Sequence, residues 1–275
     1  MIQLVSDKKQ SLKEFTENNY AQASFYWTQL LKNRDIRVNG NRVEKDVPLE
    51  KGDVISYYLT KKQEEKMAFH IVYEDEHVLV IDKESGVNSE AVFSALSRQR
   101  TCYFIHRLDR NTRGIMVFAL DEDTEKILLN AFKEHTMEKT YHALCFGRFA
   151  KKEAVLTAYL KKDATRAQVQ VFDKMREGAE KIITEYKVLK EEGAISKVEV
   201  KLHTGKTHQI RAHLAYEGCP IVGDMKYGDT AKNREKNVSR QCLVAKRMRL
   251  SLEGALAYLN KLEWTSQFEA ELPIK

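Results

Sequence analysis

Proline is scarce in this sequence, three residues in 275, and glycine reaches only twelve. So few chain breakers exclude a collagen-like or low-complexity chain. The four cysteines, Cys102, Cys145, Cys219 and Cys242, are far apart and form no CxxC pair. That excludes the usual spacing of a zinc cluster or disulfide framework and leaves buried thiols as the expectation. No apolar run approaches the ~20 residues that span a bilayer. The opening MIQLVSDKKQ lacks the apolar core of a secretory signal, so a cytoplasmic protein with no membrane attachment is expected. Charge of one sign is also limited: 46 Lys and Arg against 40 Asp and Glu leave a net +6. This permits a polyanionic partner without requiring one. What is present, 43% hydrophobic and 31% charged residues, suits a globular chain. The length suits one large domain, alone or with a small companion.

The first ~60 residues read as a small unit. Ser11 and Glu14 have the spacing of a capping box at the start of a helix. Phe25, Trp27, Leu30 and Leu31 continue at roughly helical spacing. Ile36 and Val38 then alternate with polar residues, Asn39-Gly40 signals a hairpin turn, and Gly52-Asp53 precedes Val54, Ile55 and Tyr57. The charged run KKQEEK, residues 61–66, reads as a linker or the exposed end of a strand. From residue 67 strands dominate. HIVYEDEHVLVIDK offers two, and Ile115–Ala119, Lys139–Phe146, Val155–Leu160, Val169–Phe172, Ile182–Leu189 and Lys197–Leu202 offer more. Helices are expected at Thr124–His135, capped by Asp123 or Thr124, and at Thr207–Tyr216. Strands outnumber helices without regular alternation, which predicts an α+β fold with a mixed, mainly antiparallel sheet. The division expected is 1–62 for the small unit and 67–275 for the large one.

Two segments crowd polar residues where core is expected. In FIHRLDRNTRGIMVFA, residues 104–119, an apolar lead-in breaks into His106, Arg107, Asp109, Arg110, Asn111, Thr112 and Arg113 before a clean strand. Such a loop on a rigid scaffold is either solvated surface or a site. In KLHTGKTHQIRAH, residues 201–213, a strand ends at Thr204-Gly205 and a helix follows, with His203, Lys206, His208 and Arg211 nearby. That arrangement suits a phosphate or carboxylate. His208 and His213 are five apart and do not share a helix face, so no metal site is expected.

Together the segments are specific. HRLDRNTRGIMVFA resembles the HRLDxxTSGLLLFA signature of the RluA-type pseudouridine synthases. KTYHALCFG (139–147) and HTGKTHQIRAHLAYEGCPIVGDMKYG (203–228) resemble that family's next motifs, in the same order and spacing. EKIITEYKVL (180–189) looks like the strand before the last of them. Residues 11–59, through IRVNGNRV and LEKGDVI, resemble the small RNA-binding fold named after a ribosomal small-subunit protein. Three positions depart from the family pattern. Arg113 stands where Ser is usual, KESGVNSEA (83–91) lacks the Pro of KPxG, and QCLVAKRMRL (241–250) replaces an LHAxxLxFxHP-like strand.

The resemblance implies isomerisation of uridine to pseudouridine in RNA, with no cofactor and no metal. It implies Asp109 as the carboxylate that attacks or deprotonates the sugar, Arg211 as its cationic partner and Tyr141 as the ring stacked on uracil. Ile210 would pack the other side of the base. Arg107 would fill the helix once the target is flipped out, a step needed because a stacked uridine hides its glycosidic bond. Lys206 and His208 are expected to meet substrate. The Lys and Arg residues of 230–250 would meet phosphate, against the alternative of a solvated strand and loop. Ribosomal RNA is the favoured partner, with transfer RNA the alternative and a monomer the expected state. The rivals are a catalytically silent RNA-binding protein and a glycoside hydrolase, but the loop offers one carboxylate amid arginines instead of a flanking pair.

Overall fold

The computed structural model describes residues 1–65, 67–163 and 168–272. Its first part runs β1 (Ile2–Val5), β2 (Gln10–Ser11), α1 (Leu12–Asn19), α2 (Ala21–Phe25), α3 (Trp27–Asn33), β3 (Ile36–Val38), β4 (Asn41–Arg42), β5 (Pro48–Leu49) and β6 (Val54–Tyr57). The Ser11 hydroxyl accepts the Glu14 amide at 3.1 Å, as the capping pattern predicts. The Asn39-Gly40 turn closes β3 on β4, both turn residues having positive φ. One sheet has the order β1-β6-β3-β4, and β2 pairs with β5. The charged run 61–65 corrects the sequence reading: Lys61–Glu65 is α4, a solvated helix with no buried residue. Thr60 Oγ1 accepts the Gln63 amide and Lys61 pairs with Glu65 one turn on, and these local contacts favour a helical turn over an irregular linker.

The second part is built on a large sheet. Its elements are β7 (Phe69–Glu74), β8 (Val78–Lys83), α5 (Ser89–Ser97), β9 (Tyr103–Phe104), β10 (Arg113–Ala119), α6 (Glu122–Lys133), β11 (Met137–Phe146), β12 (Glu153–Asp163), β13 (Gln168–Phe172), β14 (Glu180–Glu192), β15 (Ile195–Leu202), α7 (Gln209–Tyr216), α8 (Thr230–Glu235), β16 (Leu243–Leu250) and β17 (Glu263–Thr265). The order is β13-β12-β14-β15-β11-β16-β10-β8-β7, with β9 on β10 and β17 on β16. Pairing is antiparallel except between β10 and β16, so the fold is α+β with a mixed, mainly antiparallel sheet. Helix α6 is capped by Asp121, not Asp123 or Thr124; its carboxylate accepts the Thr124 amide at 2.8 Å.

Both faces of β8 and nearly all of β10 are buried, which explains their continuous apolar runs. One apolar cluster joins the two parts of the chain. It passes from Leu12, Phe15 and Tyr57 through Val92 and Leu96 of α5 to Phe118 of β10. Each such residue removed from water contributes roughly 1.5–3 kcal/mol before entropy is counted. Helices α1 and α2 lie directly against α5.

In segment 241–250, Leu243, Val244, Ala245, Met248 and Leu250 are buried, and β16 is an interior strand between β11 and β10. Gly114 makes that approach possible. A Cβ there would stand 2.2 Å from the Ala245 carbonyl oxygen, and its φ is +119°.

Candidate active site

The polar segment 105–112 forms a loop between β9 and β10, and its backbone is pinned on both sides of Asp109. At Leu108, the Ser89 hydroxyl from the first turn of α5 accepts the amide at 3.0 Å and donates to the carbonyl at 2.9 Å. At Arg110, the carbonyl accepts the Gly86 amide at 2.9 Å, while the Arg110 Nε–H donates to the Gly86 carbonyl at 3.0 Å. The fully buried Lys83 ammonium adds three donations, to the carbonyls of Glu84, Val87 and Arg110. Burial pushes Lys83 down to about 7, against the opposing pull of Asp109 and Glu84. These clamps hold the backbone on both sides of Asp109, whose side chain lines the cleft.

Asp109 borders a cleft of about 150 Å³, walled by Tyr141, Ile210 and Leu243 and approached by Arg107 and His208. Tyr141 and Ile210 are buried at 7% and 5% exposure, so the wall is largely dry. Tyr141 sits at a register shift, where Thr140 pairs with Arg247 but Tyr141 pairs with Ala245. Bulges of this kind re-aim side chains beside sites. Burial first, and the Asp109 charge second, push the Tyr141 phenol up.

Arg211 projects from α7 and holds two carboxylates. Its Nη1–H donates to Asp109 Oδ2 at 2.8 Å. Its Nε–H and Nη2–H donate to the two oxygens of Asp224 at 2.7 and 3.0 Å, a bidentate pair. Burial alone would lower the guanidinium, but hydrogen bonding and charge from Asp224 and then Asp109 outweigh it and raise it. Asp224 is itself locked, accepting the Lys226 and Tyr227 amides at 2.8 and 3.1 Å. Gly223 and Gly228 let this turn fold tightly: a Cβ at either would fall about 2 Å from a backbone oxygen. Sequence reasoning saw the GDMKYG turn but did not assign Asp224. The carboxylate at fixed spacing after QIR was the available signal.

The remaining expected site residues spread around the cleft. Arg107 is exposed and pairs with Glu90 of α5 at 2.8 Å. Lys206 lines the cleft and is already paired with Glu180. His208 Nε2 lies 3.9 Å from Asp109 Oδ2; burial first lowers this imidazole, against the charge of Asp109. His208 has φ +56°, a strained conformation of the kind that clusters at functional sites. His203 lies outside the site, exposed and paired with Glu185 at 2.8 Å. Lys139 was not assigned from sequence. It lines the cleft over the Phe132 ring at 3.9 Å, and burial pushes it down to about 8. The two departures near the loop meet: Arg113 donates to Glu84 Oε2 through Nε and Nη2, at 3.1 and 2.8 Å. Among the described residues no group of three or more His, Cys, Asp or Glu is placed to hold a metal ion, and no helix is long and apolar enough to cross a membrane.

A single carboxylate held by an arginine beside a dry wall with one tyrosine can hold a flat base and present an anionic oxygen to its sugar. The sequence comparisons agree with that class of site. Residues 77–216 match the family model for RNA pseudouridylate synthase, and this chain belongs to that family. It is 31% identical over 229 residues to a ribosomal large subunit pseudouridine synthase C of Vibrio cholerae, covering 73% of this chain and 71% of that protein. An uncharacterized RNA pseudouridine synthase of Bacillus subtilis is 29% identical, covering 76% and 79%. Among solved structures, human RNA pseudouridylate synthase domain containing 1 superposes with a TM-score of 0.60 at 27% identity, covering 67% of this chain and 79% of that one. The chain is accordingly an RNA pseudouridine synthase, an isomerase.

Proposed function

We propose that this enzyme isomerises uridines of ribosomal RNA and that Asp109 is the reacting carboxylate. The observation that carries the reading is the Arg211 bridge, which fixes Asp109 Oδ2 at 2.8 Å on the edge of the cleft walled by Tyr141 and Ile210. A flipped uracil stacks on Tyr141, a contact worth about 1–3 kcal/mol, and Ile210 packs its other face. Asp109 attacks C1′ or takes the 2′ proton; either route breaks the bond from C1′ to N1. The base then turns, C1′ joins C5, the C5 proton leaves and N1 gains one, so atoms and charge balance without an added reagent. A carboxylate sheltered from water is poorly solvated, and a cation held against it offsets that cost. Arg107 leaves Glu90 to occupy the space of the flipped base, while Lys206 and His208 meet the substrate around it.

Residues 1–62 serve as an RNA-binding unit and 67–275 as the catalytic one. Arg42 and Lys45 are exposed in the hairpin region of the first, where phosphate contacts add salt-sensitive affinity. The ribosomal assignment is supported by the names of relatives such as the Vibrio cholerae protein. Mapping uridines that lose modification in cells lacking this enzyme separates ribosomal from transfer RNA. The chemical reading is tested by Asp109→Asn, which keeps size and removes the charge. Pseudouridine formation should vanish in a single-turnover assay while filter binding at one stated salt concentration persists, with circular dichroism confirming the fold. A residual rate within about tenfold of wild type, a barrier change of only ~1.4 kcal/mol, would overturn the assignment.

A further inference from the structure

Tyr227, in the turn after α7, stands one layer behind the cleft, and its hydroxyl meets two groups. The Val169 amide of β13 lies at 2.9 Å and His208 Nδ1 at 2.8 Å. An amide N–H can only donate, so the phenol oxygen accepts from Val169. That leaves the single phenol proton for His208 Nδ1, and among the described residues no other acceptor stands near it. A neutral imidazole that accepts at Nδ1 carries its proton on Nε2. Nε2 faces Asp109 Oδ2 at 3.9 Å, the same oxygen that receives Arg211. The opposite tautomer would set a nitrogen lone pair against a carboxylate oxygen and leave the Tyr227 proton unused.

We propose that Tyr227 is a positioning residue that locks His208 as the Nε2–H tautomer, making His208 a second donor to Asp109 Oδ2 and reserving Oδ1 for the sugar. The proposal rests on the reading of Asp109 as the reacting carboxylate. Among the described residues no hydrogen-bond donor or cation reaches Oδ1, whereas Oδ2 has both partners on its side. A gap of 3.9 Å exceeds a hydrogen bond, and contacts of this kind tighten when substrate fills a site. The ring is held for that step: His208 stands edge-on to Tyr227 at 5.5 Å and 66° between planes. A neutral His208 agrees with its surroundings. Burial, Arg211 and Lys226 lower the imidazole, and Asp109 and Asp224 oppose them.

The tautomer is read directly by ¹⁵N chemical shifts of His208 in the free, full-length protein above pH 7. The expected pattern is a protonated Nε2 and an unprotonated Nδ1. A protonated Nδ1 in wild type overturns the proposal whatever the activity shows, so this outcome is separate from failure of the Asp109 assignment. Tyr227→Phe should mix the two forms and lower the single-turnover rate by between about tenfold and about a hundredfold, the span that partners behind metal-bound histidines show. RNA affinity should stay within about twofold, because no phosphate contact is touched. In a His208→Gln background, whose amide donates without a tautomer, the same tyrosine change should cost almost nothing. An equal loss in both backgrounds would mean that Tyr227 only supports the fold.

Discussion

Two basic stretches of this chain, 201–213 and 241–250, look alike as sequence and differ in what their cations can reach. In the first, Arg211 is nearly buried and its carboxylate partners lie at or behind the cleft. In the second, the cations are matched across the sheet. Arg247 pairs with Glu199, Arg249 with Glu263 at 2.6 Å, and Lys246 with Glu269 at 2.6 Å. Lys246 also donates to the carbonyls of Ser266 and Phe268. These three cations are therefore already matched by carboxylates in the free protein. Arg247 and Arg249, two residues apart, share one face of the strand, and other segments already supply the opposite charge to all three cations. Local charge does not predict availability, because the partner comes from another segment of the chain.

The contrast is tested most severely at Arg211. Arg211→Met should lower the saturated single-turnover rate by more than about a hundredfold, because Asp109 and the fully buried Asp224 then lose their shared cation. Lys206→Met should lower it by less than about tenfold, since Lys206 meets substrate at the periphery. Equal, small losses would dissolve the proposed bridge.

Lys246→Met tests the other stretch and should act on stability alone. Removing its donors to Glu269 and two carbonyls should cost about 1–3 kcal/mol in urea denaturation, with the rate on RNA unchanged. A related effect should appear in acid. Burial would raise Glu269, but hydrogen bonds and charge from Lys246 and Lys197 hold it down to about 2, below its ordinary 4.5. A depressed acid stabilises above its unfolded value and loses that contribution as protons bind on the way to the folded value. Stability should thus fall between pH 4.5 and 2 more steeply in wild type than in Glu269→Gln, as followed by thermal melts. The smallest effect is expected for Arg249→Gln, an exposed pair worth less than about 1 kcal/mol. A clear loss of RNA affinity there would show that β16 does present cations to RNA.

Much of this was legible in the chain. The turn at Asn39-Gly40, the Ser11 cap and the strands of the large sheet follow from local pattern. The motif residues Asp109, Tyr141 and Arg211 line one cleft. The misses share a cause. β16 mixes three cations and a buried face over eight residues, and its interior position depends on Gly114 admitting a neighbour far away in sequence. Asp224 reads as a turn carboxylate until Arg211 is placed opposite it. Helix α5, which fixes the loop through Ser89, carries no motif. Its amphipathic pattern is short, and it is stabilised by packing against α1 and α2.

The place of β16 has a consequence for the order in which the enzyme assembles. The strands β7, β8 and β10 form one half of the large sheet and β11 to β15 the other, and β16 is the strand that joins them. A ribosome therefore releases both halves, with Asp109 on one side and Tyr141 and Arg211 on the other, before the seam between them exists. Nascent chains short of residue 250 would leave β11, and the start of β10 that β9 does not cover, without the neighbour that β16 supplies. Long-range closure of this kind is slow and exposes edges to wrong partners. The cleft that needs both halves is therefore expected to form only once the seam strand has paired with β10 and β11.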